Sequence, residues 1–215
     1  GESGGRSVRK RDGKYQPRNR KQTAAILSHY THTKWKESGK LKGKEFTVKT
    51  IVTSELLAEI ADKFGVESYD TLTGFKFIAG KIKEFEGKKK FIVGGEESYG
   101  YLAGDFVRDK DAVISCVLIA EAATWAKSQN KTLFDILLEI YIEYGFFKEK
   151  LISVKKEGQK GEKEIKEMME NLRDNSPESI NGVRVTMVND FLKQKATDKI
   201  SDLRYDITLP KSNVL

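Results

Sequence analysis

The chain has 215 residues, of which 38% are hydrophobic and 33% are charged, and its formal net charge is +7 at pH 7. This composition is typical of a folded protein and excludes a largely disordered chain. No apolar run approaches the roughly 20 residues of a membrane-spanning helix, and the residues after Gly1 lack a signal-peptide pattern.

The positive charge is concentrated at the start of the chain. Residues 1–21 contain eight lysine and arginine residues and two acidic residues, so they account for +6 of the net charge of +7. We expect residues 1–21 to form a flexible basic lead. Such a lead can bind polyanions, but no nucleic-acid motif accompanies it, so the sequence does not favour a nucleic-acid partner.

Helices and strands alternate in residues 22–156. Apolar residues at helical spacing predict helices that begin near residues 23, 54, 75, 112 and 132. Short β-branched and apolar segments predict strands at residues 45–50, 66–69 and 90–93. This alternation predicts an α/β fold, in which a mixed, mainly parallel sheet is sandwiched by helices.

The composition changes at the polar residues 157–161, which we interpret as a hinge. Residues 146–155 alternate enough to predict a strand before it. A helix that ends near Asp174 and strands at residues 183–188 and 202–209 are expected after it. This last part has few large apolar residues, so we expect residues 157–215 to be a truncated α+β segment, the incomplete start of a C-terminal domain.

A parallel sheet has its ligand crevice at the carboxyl ends of its strands, and three predicted loops leave those ends: the loop after Thr50, residues 71–74 and residues 94–111. The third loop offers the carboxylates of Glu96 and Glu97, the hydroxyl of Ser98 and the ammonium of Lys110. These groups suit the hydroxyls and the phosphate of a sugar phosphate. The alternative is that the carboxylates are solvated and the glycines of the loop only turn the chain.

The loop at residues 71–74 directly precedes a predicted helix. Free backbone N–H groups at a helix N-terminus can bind an anion. The alternative is a simple helix cap in which Thr73 is the capping residue.

These segments, in this order, resemble the third domain of the α-D-phosphohexomutases, the phosphoglucomutase/phosphomannomutase family. The matching segments are Thr73-Gly74, the sequence Gly-Glu-Glu-Ser-Tyr-Gly at residues 95–100, and Arg108-Asp109-Lys110-Asp111. The helix and strand between the first two also match. The resemblance covers roughly residues 12–215, and residues 145–154 and 210–213 resemble the approach to the family's fourth domain.

The resemblance implies an isomerase that interconverts hexose 1-phosphate and hexose 6-phosphate. In the family, a phosphoserine of the first domain transfers its phosphoryl group to the sugar phosphate, and the hexose 1,6-bisphosphate that forms returns the other phosphate. A Mg²⁺ ion, held by an aspartate-rich loop of the second domain, polarises the phosphoryl oxygens. The implied partners are the hexose phosphate and the other mutase domains.

The third domain recognises the sugar, which must bind in two opposite orientations, so residues 22–156 are expected to be the sugar-binding domain. The substrate-binding residues that the resemblance implies are Glu96, Ser98, Thr73, Gly74, Lys110 and Lys49. Glu96 and Ser98 would bind the hydroxyls at positions 3 and 4 in either orientation, and Glu97 would support their loop. Phe75 and Tyr99 would flank the sugar, and the preference for glucose or mannose stays open.

The resemblance ends at the groups that perform catalysis in the family. The sequence has no phosphoserine loop and no Asp-x-Asp-x-Asp loop, and the phosphate-binding loop of the fourth domain would follow Leu215. We therefore expect no catalytic residue and no metal ligand in this chain, with Mg²⁺ and the bisphosphate belonging to the complete enzyme. Such a fragment would be inactive alone and would bind sugar phosphates weakly, with a Kd of about 1 mM.

Two other functions stay open. The chain could be a free-standing interaction protein whose basic arm, residues 6–21, binds acidic partners, or a free-standing sugar-phosphate-binding module.

Some residues outside the loops also allow predictions. Cys116 lies in an apolar run and is predicted to fill the core, and a lone cysteine favours a reducing, cytoplasmic location. His29 and His32 are predicted to lie on a solvated helix face rather than in a zinc site. Trp35 and Trp125 are predicted to be core or interface residues.

Overall fold

The computed structural model describes residues 8–11, 14–17, 19–96, 100–149 and 152–215. The chain divides into two compact units, Gly1–Glu149 and Lys150–Leu215. The assignment of domains at residues 1–21, 22–156 and 157–215 stays a prediction.

The first unit contains two short strands followed by alternating strands and helices. In chain order its elements are β1 (Val8–Arg11), β2 (Lys14–Pro17), α1 (Arg20–Glu37), β3 (Glu45–Thr50), α2 (Leu56–Lys63), β4 (Glu67–Thr71), α3 (Phe75–Glu84), β5 (Lys90–Gly95), β6 (Tyr101–Ala103), α4 (Ala112–Ser128) and α5 (Leu133–Tyr144). β1 and β2 form an antiparallel pair.

The central sheet of this unit has the strand order β4-β3-β5-β6. β3 pairs in parallel with β4 and β5, whereas β6 pairs antiparallel with β5. The sheet is therefore mixed and mainly parallel, and this prediction is confirmed.

Helices cover both faces of the sheet. On one face, Phe46 and Val48 of β3 belong to a core cluster with Phe75 and Ile78 of α3. On the other face, helices α1, α2, α4 and α5 form a larger core that includes Tyr101 of β6. The chain thus has the predicted sandwich of helices around a sheet.

The ends of the elements depend on local caps. α1 begins at Arg20, three residues before the predicted start, because Asn19 and Gln22 form a capping box in which each side chain accepts a hydrogen bond from the other residue's backbone N–H. α5 begins where predicted, with a second capping box between Thr132 and Asp135. β4 extends to Thr71, two residues beyond the predicted end.

The second unit consists of one long helix and short antiparallel strands. Its elements are α6 (Gly158–Asp174), β7 (Ser179–Ile180), β8 (Val183–Arg184), β9 (Met187–Asp190), β10 (Lys195–Asp198) and β11 (Arg204–Asp206). β11, β10 and β9 form one sheet in that order, and β7 pairs with β8. Within this unit, Nε of Arg173 lies 3.2 Å from Oδ1 of Asp190 and so joins α6 to β9.

The structure differs from the strand predictions for residues 146–209. The described residues of the segment 146–155 contain no strand, and β10 was not predicted. The strand predicted at 183–188 is divided between β8 and β9. The turn after β9 is set by the carboxylate of Asp190, which accepts hydrogen bonds from the backbone N–H groups of Leu192 and Lys193. A turn that depends on such side-chain hydrogen bonds cannot be predicted from the alternation of polar and apolar residues.

Cys116 and the two histidines also depart from their predicted environments. Cys116 is exposed, because α4 directs Ser115, Ala122 and Ala126 into the core instead. His32 is fully buried and its ring lies 5.5 Å from that of Phe64, so the prediction of a solvated face is wrong. His29 is partly buried, with Nδ1 3.2 Å from the hydroxyl of Tyr144.

Trp35 and Trp125 are partly buried and pack against core clusters, as predicted. Among the described residues, no helix combines the length and the apolar character needed to cross a membrane.

Candidate functional site

Three loops lie at one edge of the central sheet, where β3, β4 and β5 end. These strands are parallel, so the segments after Thr50, Thr71 and Gly95 leave the sheet at the same edge. The backbone N–H of Ile51 donates to the carbonyl of Thr71 over 2.9 Å, which joins the first two loops. β4 and β5 lie on opposite sides of β3, so the connection from β3 to β4 and the connection from β4 to β5 run in opposite directions across the sheet. Such switch points are common ligand sites in α/β sheets.

Glu96 joins the second loop to the third. Glu96 is only 6% exposed, and its Oε1 accepts a hydrogen bond of 2.8 Å from the backbone N–H of Gly74. Its own backbone N–H donates to the carbonyl of Gly100 over 2.8 Å. The structure therefore brings Glu96 together with the predicted Thr73-Gly74 segment.

Gly74, and not Thr73, caps α3. Its backbone has φ 118° and ψ 120°, a left-handed conformation that favours glycine. No side chain caps this helix, so the alternative in which Thr73 is the capping residue is wrong. Thr73 is exposed at this edge. The backbone N–H of Gly74 itself donates to the carboxylate of Glu96.

Lys110 borders the same site. A Cβ atom at Gly100 would lie 3.1 Å both from Cδ of Lys110 and from Oε2 of Glu96, so both side chains pass close to this glycine. The ammonium of Lys110 lies 5.9 Å from the ring centre of Phe75 and 3.7 Å from Oδ1 of Asp109. Its side chain is 41% exposed, so its charge remains accessible to a ligand.

Lys49 lies at the end of β3, next to Gly95 of β5 and Asp70 of β4 in the strand register. Its side chain is buried, and its ammonium lies 2.8 Å from Oε1 of Glu55 and 2.7 Å from Oδ1 of Asp70. Sequence reasoning selected Lys49 but missed both carboxylates. The parallel register would have indicated Asp70, which is the residue directly opposite Lys49 on β4.

The predicted partner of Glu96 lies outside the described residues. Ser98, together with Glu97 and Tyr99, belongs to the segment 97–99, so the pairing of Glu96 with Ser98 stays a prediction.

The glycines of β5 have a packing role. A Cβ atom at Gly94 would lie 2.6 Å from the carbonyl oxygen of Val48 on β3, and one at Gly95 would lie 2.6 Å from Cδ1 of Tyr101. Neither separation is possible for a real side chain, so both positions require glycine for the strands to meet. Close packing within the sheet therefore explains the presence of glycine at positions 94 and 95 without any contact to a ligand.

No metal site is evident in the described part of the chain, where no group of three or more His, Cys, Asp or Glu side chains could hold an ion. The site at this edge therefore consists of a buried carboxylate, an accessible ammonium, backbone N–H groups and a carboxylate-bound lysine. Such a set can bind hydroxyl groups and an anion.

Comparison with known proteins identifies the family. Residues 19–144 match the family described as phosphoglucomutase/phosphomannomutase, alpha/beta/alpha domain III. The chain belongs to the phosphoglucomutase/phosphomannomutase family. The predicted resemblance to the third domain is confirmed by this match.

Curated relatives of the phosphoglucomutase/phosphomannomutase family support the same assignment. A phosphoglucomutase of Staphylococcus haemolyticus is 39% identical over 78% of this chain and 31% of its own length. A phosphoglucomutase of Staphylococcus aureus is 37% identical over 92% of this chain and 35% of its own length. The chain thus spans about a third of the length of the curated relatives that it matches.

Among solved structures, the crystal structure of pp63/parafusin from Paramecium, a phosphoglucomutase in its open form, has a TM-score of 0.55. It is 16% identical, and the match covers 94% of this chain and 33% of that one. At this identity the match supports the fold alone. None of these comparisons supports a free-standing interaction protein that acts through its basic arm.

Proposed function

We propose that this chain supplies the sugar-recognition domain of a phosphohexomutase, an isomerase that interconverts hexose 1-phosphate and hexose 6-phosphate in the cytoplasm. The observation that carries the proposal is the position of Glu96, a buried carboxylate held by the N–H of Gly74 and bordered by Gly100 and Lys110.

Glu96 is suited to bind sugar hydroxyls. Its Oε1 is fixed by the Gly74 N–H, and its Oε2 lies beside Gly100, 3.1 Å from where a Cβ atom of that residue would be. An ionised carboxylate accepts stronger hydrogen bonds than a neutral group, and one oxygen can serve two neighbouring hydroxyls. With the Ser98 hydroxyl as second partner, the pair could bind the same two hydroxyls in either orientation of the sugar.

Lys110 is suited to attract the phosphate. Its ammonium is accessible and belongs to the same loop cluster as Glu96. A phosphate that approaches this edge would also meet the Thr73-Gly74 segment at the start of α3 and Lys49 at the end of β3. Together, these groups would orient a sugar phosphate.

Catalysis would require groups that the described residues do not provide. In the family, Mg²⁺ polarises the phosphoryl oxygens, and a phosphoserine and the hexose 1,6-bisphosphate carry the phosphoryl group. We expect the Mg²⁺ ligands to belong to another domain of the complete enzyme, and the part in the reaction that we propose for this chain is to bind and orient the sugar.

The proposal can be tested by NMR titration of the ¹⁵N-labelled chain with glucose 1-phosphate and, separately, mannose 1-phosphate. We expect the amides of Gly74, Gly95, Glu96, Gly100 and Lys110 to shift together, and the sugar that binds more tightly is the preferred one. Glu96→Gln should weaken the response, whereas Glu67→Gln, at the opposite end of β4, should not. Shifts confined to the basic residues 6–21 would overturn the proposal.

A further inference from the structure

Lys49 differs from the other site residues because its charge is already bound within the protein. Its side chain is 2% exposed, whereas the side chains of Asp70 and Glu55, which bind its ammonium, are 43% and 60% exposed. The cation is therefore buried and its two anionic partners face solvent at the carboxyl edge of the sheet.

The ammonium has more negative than positive charge around it. An ammonium has three N–H donors, and those of Lys49 serve Asp70 at 2.7 Å and Glu55 at 2.8 Å. Two carboxylates on one lysine leave a local net charge of −1. A phosphate group that binds to Lys49 must therefore compete with the carboxylates of Asp70 and Glu55 for the same ammonium.

Resting on the function proposed above, we propose that Asp70 is a positioning residue that acts through Lys49 and weakens the binding of phosphate-bearing sugars. Asp70 lies opposite Lys49 in the register of β3 and β4, so two paired strands fix its distance from the ammonium. Glu55 lies in the loop before α2 and its side chain is more exposed. Its charge is therefore better screened by water, and it weakens the binding of a phosphate less than Asp70 does. This competition favours dissociation of the phosphate-bearing sugar, which must leave the site after the reaction.

The first test compares ligands that differ only in charge. Asp70→Asn keeps the shape of the side chain but removes its charge. We expect it to raise the affinity for glucose 1-phosphate by about twofold to fivefold, the effect of losing one partly exposed ion pair. The affinity for the neutral methyl glucoside should not change. Glu67→Gln removes a charge from the same strand at its other end, where Glu67 pairs with Lys89, and should change neither affinity.

The second test shows whether Asp70 acts through Lys49. In a Lys49→Met background, Asp70→Asn should no longer raise the affinity for glucose 1-phosphate, because no ammonium is left for the two anions to share. An equal gain in both backgrounds would mean that Asp70 only repels the phosphate directly, and would overturn the inference. Should Asp70→Asn fail to fold, Glu55→Gln takes its place, with the same direction of change expected.

The outcomes separate this inference from the proposed function. If the parent chain binds glucose 1-phosphate at Glu96 and Lys110 but Asp70→Asn binds no more tightly, the inference fails and the proposed function stands. If only Asp70→Asn binds detectably, the inference is supported. If neither protein binds the sugar phosphate, both are overturned.

Discussion

The backbone N–H of Gly74 donates a hydrogen bond of 2.8 Å to Oε1 of Glu96, and this contact joins the loop after β4 to the loop after β5. The bond spans 22 residues of sequence and places a buried carboxylate at the N-terminus of α3. A negative charge at this end of a helix is favoured by the helix dipole. The position of Glu96, which we propose to bind the sugar, therefore depends on the backbone conformation of Gly74.

Gly74→Ala should destabilise the chain, because alanine rarely adopts the φ of 118° found at this position. We expect a loss of about 1–3 kcal/mol in the free energy of unfolding, measured by urea denaturation. Gly80→Ala is the matched control: Gly80 lies within α3 without a positive φ, and a Cβ there meets no atom within 4 Å. This control should gain about 0.5–1 kcal/mol. Equal effects of the two substitutions would contradict the conformational argument.

Glu96→Ala should free the amide of Gly74. Removal of the acceptor leaves a partly buried N–H without its partner, which costs about 1–3 kcal/mol. Glu96→Gln retains an acceptor oxygen and should lose less. Hydrogen exchange provides the measurement: the Gly74 amide should exchange faster in the alanine variant than in the glutamine variant. Unchanged protection of Gly74 in Glu96→Ala would show that the contact does not hold the two loops together.

Gly94→Ala should mainly lower the stability of the chain, whereas Gly100→Ala should mainly weaken its binding of glucose 1-phosphate. At Gly94 the added Cβ would meet the backbone of β3, which cannot move aside, so we expect a loss of about 1–3 kcal/mol in unfolding free energy. At Gly100 it would meet Oε2 of Glu96 and Cδ of Lys110, atoms of flexible side chains that can shift. That variant should keep most of its stability but bind glucose 1-phosphate more weakly in the titration. A stable Gly94→Ala protein would contradict the packing role of this glycine.

The sequence was sufficient to predict the features that depend on regular patterns. The alternation of helices and strands predicted the sheet, and the parallel order of β3, β4 and β5 placed Glu96 and the Thr73-Gly74 segment at one edge. The Gly74 N–H contact to Glu96 was not predictable, because it depends on how two loops 22 residues apart meet in space. The carboxylates on Lys49 were missed for a similar reason, since they come from a neighbouring strand and a loop.

Burial was harder to predict than secondary structure. The apolar run of α4 continues around the helix, so its sequence does not show which side faces the core, and Cys116 was placed on the wrong side. His32 was placed on a solvated helix face because no further metal ligand accompanies the two histidines, yet its Nδ1 is bound within its own helix, 2.7 Å from the carbonyl oxygen of Ser28. That bond allows the ring to be buried.

The exposure of Cys116 has a direct chemical consequence. It is the only cysteine in the sequence, and it faces solvent on α4. We expect a thiol reagent such as DTNB to modify one thiol per chain in the folded state, with no further reaction in urea. Cys116→Ser should abolish the signal. Reaction that begins only when urea is added would instead place the thiol in the core, as the sequence pattern had suggested.

Burial of His32 should make the stability of the chain depend on pH. The ring is fully buried among apolar groups, and this burial lowers the pKa of His32 from 6.5 to about 4, against the opposing effect of its bond to Ser28. Among the described residues its Nε2 has no hydrogen-bond partner. The neighbouring His29 also has a lowered pKa, again mainly through burial, although Glu143 and Glu139 oppose that effect.

The sign of the pH effect depends on whether the folded or the unfolded chain binds the proton more strongly. Between pH 6.5 and about 4 the unfolded chain protonates His32 and the folded chain does not, so stability falls as the pH falls through this window. We expect a loss of about 2 kcal/mol between pH 7.5 and pH 5, measured as the urea unfolding free energy at each pH. His32→Leu should remove most of this dependence, whereas His29→Leu should retain most of it, because the pKa of His32 is lowered mainly by its own burial. If the slope of the parent chain persists in His32→Leu, another group causes it and His32 is not buried in its neutral form.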